Sequence, residues 1–593
     1  MDRNAIIGFI LIGLILMVWM WMNSPEPVPV KLSQRSDTSA VQHSSAQSAG
    51  VATHRTTDSQ PTDSLGTYFS HLATNRGETI SVHTPHFNAL LSTLGAGITS
   101  WEMNKFNTWD GHKANLINES GKSDLNLLFY SSDGKLINTR NLRFEQVVKT
   151  SSYDLSERES AKIEFVLKVG DGKKIIKTYT FHKDSYAFDV DIELQGMRDV
   201  ISNYEYQVVW EGGLRYPERN SVDESNSAMA YAFAGGELTE VDAANFDEEV
   251  KQNISGRVQW VASRTKYFAL ALIARDLEPQ GAYLEGVRHR KPDNGAQEQY
   301  NIGLKIPFRG GAIERSKFTV FLGPLDYDII KGLNVELDRV MSLGAVWVIR
   351  PIAEHVMIPL FQFLHLFIPN FGIVIIIFAF IIKVVLHPLT KSQMTSMRKM
   401  QALQPMMEEI REKHKDDPQK MNQQVMRLYK EYGVNPAGGC LPLLLQLPIL
   451  YALWSVFHSA VELRQASFFG WIHDLSIPDV VLTLPFPIPI FGIHELSGLA
   501  GLMGVTMFVQ QKMTVKDPRQ KMMIWMMPIL MTLLFMSFPS GLNLYYFVFN
   551  LLSIVQQQWV NKRHENEPLQ KVDEKKSNGF MSRLMKNLPK PKQ

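Results

Sequence analysis

Lys383 stands twelve residues into Phe371 to Leu386, an apolar run with no other charge. A charged side chain at the centre of a bilayer costs roughly 2.5 to 3.5 kcal/mol on insertion scales, so this ammonium needs water, a partner or a route out. At about 1.5 Å per residue it lies ~7 to 8 Å from Pro388 at the inner end of the run, within reach of a lysine stem. Snorkelling to the interface is therefore one reading and a buried polar cavity the other. Further on, Asn543, Tyr546, Asn550, Ser553 and Gln557 recur at steps of three and four, which places all five on one helical face. A polar row along a membrane helix turns toward protein or water, not lipid. Gln446, between Pro442 and Pro448, adds a polar group to another apolar run. Interhelical hydrogen bonds, each contributing on the order of 0.6 to 2 kcal/mol, would explain these residues, and so would a shared hydrated groove. The charge on Lys383 favours the groove.

Enzyme chemistry finds little support. No phosphate-cradling glycine loop is followed by Lys and Ser or Thr, and His494-Glu495 lacks the second histidine of a zinc protease helix. His83 and His86 have a spacing that could hold a metal, but in a predicted strand and turn they read as surface residues. No catalytic residue, cofactor or metal is assigned. None of the apolar runs contains Asp or Glu. Ion-coupled transporters usually display an intramembrane carboxylate or an inverted repeat, so a transporter is disfavoured.

Hydropathy sets the elements that must position these residues. In 593 residues six runs are candidate spans: Ala5 to Met22, the run holding Lys383, and stretches near 440–461, 496–511, 522–538 and 541–560. The first lacks a small-residue cleavage site and reads as an uncleaved anchor. Residues 391–431 hold nine basic and six acidic side chains, 512–521 four and one, and the tail 561–593 nine and four. Those segments belong on the cytoplasmic side. The loop around Glu462, Arg464, Asp474 and Asp479 is acidic, as is the region 24–382, with 36 basic and 43 acidic residues. Both belong outside, so both termini are expected in the cytoplasm.

The chain thus divides into an anchor (1–23), a Ser/Thr/Gln/Pro-rich disordered linker (24–65), an external all-β domain (66–325), an amphipathic interfacial region (326–368), a five-helix membrane core (369–560) and a basic tail (561–593). Strand-like segments include Lys162 to Val169, Lys174 to Phe181, Tyr204 to Trp210, Arg257 to Ile273, Tyr300 to Ile306 and Lys317 to Leu322. In the interfacial region Trp347, Ile352, Val356, Leu360, Leu364 and Phe367 recur at helical spacing. Within the core, 390–432 reads as a cytoplasmic hairpin of two helices joined at Asp416-Asp417-Pro418. Its stripe of Met394, Met397, Met400, Leu403, Met407 and Ile410 either packs against the second arm, the favoured reading, or offers a pliable surface to apolar chains. Cys440 is the single cysteine and can staple nothing within the chain.

Several strings carry a resemblance: Asn435-Pro436-Ala437-Gly438-Gly439-Cys440-Leu441-Pro442-Leu443, Glu462-Leu463-Arg464-Gln465-Ala466, Trp471-Ile472-His473-Asp474-Leu475-Ser476, Phe538-Pro539-Ser540-Gly541-Leu542 and Pro388-Leu389-Thr390. Over residues 368–560 they closely resemble the YidC family of bacterial membrane protein insertases. The resemblance implies an inner-membrane insertase and chaperone acting on nascent membrane proteins, alone or beside the Sec translocon. It also implies an external β-supersandwich akin to mutarotase-like domains. Its substrate groove would hold a basic residue at Lys383, where arginine is usual, and the matching tyrosine at Tyr546. Lysine lacks the planar fork that grips a carboxylate bidentately, which weakens a strict salt-bridge mechanism. Ala379 stands where some relatives have a threonine. The proline-rich stretch Pro485-Phe486-Pro487-Ile488-Pro489 is longer than the usual connection. The tail from Lys562 to Lys592 offers phosphate attraction to a ribosome, though a solvated tail is equally compatible. The rival functions are a polytopic transporter and an assembly chaperone without insertion activity of its own.

Overall fold

The computed structural model describes residues 65–563 apart from 75, 119–122, 293, 346, 416, 435–440, 489–491 and 515–520. The expected anchor Ala5 to Met22, nearly all of the expected linker, Cys440 and the basic tail lie outside the described residues. The chain forms two compact units, one ending at Val340 and the other beginning at Met341.

Alternating burial builds the first unit. In β1 (Ser160–Gly170) every second side chain is buried, the pattern of a strand with one face on a core. It returns as β2 (Lys173–His182) through Asp171-Gly172. Gly172 has φ +69°, which the absence of a Cβ permits and a two-residue hairpin loop requires. Next come β3 (Ala187–Gln195), β4 (Glu205–Trp210), β5 (Val258–Arg264), β6 (Phe268–Ala274), β7 (Gly281–Lys291), β8 (Gly295–Pro307) and β9 (Ile313–Pro324). A nine-stranded antiparallel sheet runs Glu237–Val241, Met229–Ala234, β5, β6, β9, β3, β2, β1, Glu145–Gln146. A six-stranded sheet runs Glu249–Ser255, β7, β8, β4, Asn126–Tyr130, Leu136–Asn138, and a third sheet has five strands. The segment Arg257 to Ile273, expected as a single strand-like run, is two strands. Thr265 N bonds Phe268 O at 2.8 Å and turns the chain between them.

Aromatic rings join the sheets. Phe87 stacks on Trp101 at 3.7 Å, Trp101 lies 5.4 Å from Phe188, and Phe188 lies 5.0 Å from Phe181. Lys177 sits in the inward row of β2, where its ammonium donates to Gly95 O at 2.8 Å and Leu125 O at 2.7 Å. Gly95 and Leu125 are both in the left-handed region, so one buried lysine holds the carbonyls of two loops that the backbone alone would not hold. Burial pushes its pKa down to about 7.

A second buried cluster surrounds the short helix Ser221–Ser225. Glu224 accepts from Lys266 N at 3.1 Å, Lys266 Nζ pairs with Asp223 at 2.7 Å, and Glu298 accepts from Tyr300 at 2.6 Å and faces Arg288 at 3.3 Å. Burial raises Glu224 to about 8 and Glu298 to about 7.

The second unit is helical: α1 (Ile358–Phe367), α2 (Phe371–Val385), α3 (His387–Ala402), α4 (Gln404–Lys413), α5 (Pro418–Glu431), α6 (Leu441–Ser459), α7 (Gly498–Thr514), α8 (Lys521–Phe535) and α9 (Ser540–Arg563). Six spans were the expectation. The structure places helices at five of those runs, and among the described residues no helix is long and apolar enough to cross a membrane. Two causes are visible. With 15 residues each, α2 and α8 extend only about 22 Å at 1.5 Å per residue. The 24-residue α9 is long but carries the polar row. The end of α2 is set by Pro388, which has no N–H to continue the ladder.

The hairpin has three helices rather than two, because Pro405 in the first turn of α4 separates it from α3 at Leu403. Leu403 and Met407 are buried against Leu428, Tyr432 and Val434, with Met400 and Ile410 packed beside them. Most of the methionine stripe is thus spent on the second arm. In the interfacial region Leu364 is buried while Trp347, Val356 and Phe367 are exposed, so the six expected positions do not share one face. A five-residue π-helical turn, Ala353–Met357, shifts the register before α1.

Candidate functional site

The site begins with the cap of α2. Asn370 accepts from Ile373 N at 3.2 Å and donates to Ser467 O at 3.3 Å, fixing where the helix starts. Gly372 lies where a Cβ would strike the Phe468 ring, so the first turn seats closely. From there Val374, Ile375, Phe378, Ala379, Ile382 and Lys383 form the buried stripe. Lys383 therefore lies on the packed face of its helix, because it follows Ala379 by four residues.

Only 8% of Lys383 is exposed. Its Nζ donates to Ser553 Oγ of α9 at 2.6 Å and lies 4.3 Å from the Phe549 ring centroid. Ser553 in turn donates to Phe549 O at 2.7 Å, so its one proton is used and its lone pairs face the ammonium. Beside this pair is an open recess of about 560 Å³ whose polar lining is Lys383, His387 and Gln556, the other six lining residues, Phe380 and Trp559 among them, being apolar. A single water needs only ~15 Å³ of such space. At its rim Gln556 Nε2 contacts His387 Nδ1 at 2.9 Å and donates to Thr390 Oγ1 at 3.1 Å, while Gln556 Oε1 is buried without a partner.

The other residues of the polar row do not gather there. Asn543 donates to Phe535 O at 3.2 Å, to Phe538 O at 3.4 Å and to Ser497 Oγ at 3.4 Å, closing the turn between α8 and α9. Tyr546 packs edge-on against Phe535 and Tyr545, each ring 5.2 Å away, and its hydroxyl is buried without a partner. Asn550 is buried. Gln557 donates to Asn561 one turn along its own helix at 2.9 Å. Gln446 lies on α6, but its side chain is outside the described set.

Three residues at the cavity were not singled out from sequence for this role: His387, Thr390 and Gln556. The signal was present, since His387 follows Lys383 by four residues and Gln556 follows Ser553 by three. Asp479 was read as a loop charge. It is buried, accepts from Leu499 N at 2.7 Å, Trp471 Nε1 at 2.9 Å and Ser497 Oγ, and so caps the start of α7.

The arrangement offers a cation with spare N–H groups, one unpartnered amide oxygen and an open recess. A family model described as 60Kd inner membrane protein matches residues 363–567, and one described as YidC periplasmic domain matches 79–354. These two matches set the class: an inner-membrane protein with a periplasmic β domain. The membrane protein insertase YidC of Chlorobaculum parvum is 40% identical over 96% of both chains. That of Chloroherpeton thalassium is 38% identical over 99% of this chain and 100% of its own length. The chain belongs to the YidC family of membrane protein insertases. A crystal structure of an active YidC insertase is 20% identical, covers 82% of this chain and 94% of its own, and gives a TM-score of 0.35.

Proposed function

We propose that this protein inserts membrane proteins by offering the polar segment of an emerging substrate a hydrated, positively charged recess between α2 and α9. Lys383 carries the reading: an ammonium held on the packed face of a short apolar helix, bound to a hydroxyl and a ring, beside a cavity far larger than one water. A polar segment passing there exchanges water for water and fixed dipoles instead of hydrocarbon, which lowers its desolvation cost. The apolar helix that follows moves into lipid under the hydrophobic driving force, so no nucleotide is required. Lengths of ~22 Å for α2 and α8 against a hydrocarbon core of ~30 Å draw the bilayer thinner around the recess.

In this reading six spans place both termini in the cytoplasm, the hairpin α3–α5 faces the ribosome, and the β unit is the periplasmic contact for Sec components. Tyr546, Asn543, Asn550 and Gln446 also belong to the substrate path in this reading, independently of the Lys383–Ser553 pair.

The test is insertion of a single-span reporter into vesicles holding only this protein. We expect protease-protected reporter with the natural chain and with Lys383→Arg, and a severalfold loss with Lys383→Ala. Equal insertion by all three would remove Lys383 from the mechanism, and no insertion by the intact, folded chain would remove autonomous activity.

A further inference from the structure

The described residues of the proline-rich connection pair as two strands: β10 (Val480–Ile488) runs antiparallel to β11 (Ile493–Ser497), Leu482 against Leu496 and Thr483 against Glu495. It is anchored at its root. Ser497 Oγ and Trp471 Nε1 both donate to Asp479, and β11 runs directly into α7. It is also unusually bare. Residues 480–488 carry no charge, yet Val481 is 53% exposed, Leu482 56% and Phe486 61%. Just before it, Phe469, Trp471 and Ile477 are exposed too. The polar side chains His494 and Glu495 are on the other strand.

We propose that this hairpin is a lipid-binding element that lies flat in the headgroup region of the outer leaflet. Three observations choose lipid over protein. The hairpin's second strand leads directly into α7, whose Leu502, Val505 and Val509 are exposed. Phe469, Trp471 and Phe486 are each exposed, and aromatic side chains of this kind seat at membrane interfaces. Pro485 and Pro487 have no N–H, so a partner strand adding to β10 finds donors missing there, while an apolar setting finds fewer donors left unsatisfied. The remaining edge carbonyls still need water, which keeps the hairpin at headgroup depth and out of the hydrocarbon.

The proposal rests on α7 being membrane-embedded, so the experiment tests both. With the single Cys440 replaced by serine in the full chain, cysteine is placed by Phe486→Cys, Leu482→Cys, His494→Cys or Val505→Cys and labelled with a nitrobenzoxadiazole dye. Each protein is reconstituted in phosphatidylethanolamine/phosphatidylglycerol vesicles. Positions 482 and 486 are expected to be quenched by lipids spin-labelled at the headgroup more than by soluble iodide, 494 mainly by iodide, and 505 by acyl-chain spin labels. Quenching of 482 and 486 by iodide as strong as at 494 would overturn the proposal, and so would quenching by neither agent, the mark of a protein cover such as a second copy. If 505 also escapes the lipid quenchers, the membrane placement of α7 falls as well.

Discussion

Ser553 supplies the acceptor that makes a buried ammonium tolerable. A hydrogen bond to a charged group contributes about 1.5–3 kcal/mol, and water in the adjoining cavity replaces only part of it. Ser553→Ala is expected to lower reporter insertion severalfold with little change in helix content by circular dichroism, and Ser553→Thr to keep most of the activity. Charges in the β unit are governed by burial instead. Glu224 is fully buried with a pKa raised from 4.5 to about 8. Between those values the folded state holds a proton that the unfolded chain has lost, so stability falls as pH rises from about 5 to 8, by up to ~1.4 kcal/mol per unit from this group. Glu224→Gln should flatten that part of the slope, read as the difference in urea midpoint between pH 5.5 and 8. Lys383 and Ser553 could both be picked out from sequence because a charge or a regular polar row contradicts its apolar surroundings. Glu224, Lys177 and Asp479 could not, since the backbone groups that meet Glu224 and Lys177, and the backbone and side-chain donors that meet Asp479, are brought there only by the fold.

Between helices, close approach is set by glycine. A Cβ on Gly504 of α7 would collide with Thr532 Oγ1 of α8, and that hydroxyl is held by its bond to Pro528 O at 2.7 Å. Gly504→Ala is expected to cost about 1–3 kcal/mol through overpacking, and Thr532→Ala in the same chain to restore most of it. A double-mutant cycle on thermal unfolding measures the coupling. Periodicity found the helices and most strands because apolar spacing reports which face is buried. It missed the divisions inside them. The turn at Thr265 to Tyr267 and the π-helical turn at Ala353–Met357 contain no proline or glycine to mark them, while the break at Leu403 is marked only by Pro405. The polar row of α9 was legible as one face, but a face 24 residues long passes several neighbours, so Asn543, Tyr546 and Ser553 meet different elements.

Across the whole chain, the two units solve different burial problems. The β unit closes its core with aromatic rings and carries its buried charges as hydrogen-bonded clusters, without a disulfide. The helical unit leaves a charge beside open space. Ser553 lies 170 residues after Lys383, on the last of the described helices to be made. At about 5–20 residues per second, a ribosome needs roughly 10–30 s between the two. Throughout that interval the newborn protein holds an ammonium in an apolar helix with its eventual acceptor still unsynthesised. Its own birth thus poses the same problem that the finished molecule is proposed to relieve for others, and an older copy nearby is suited to shelter it.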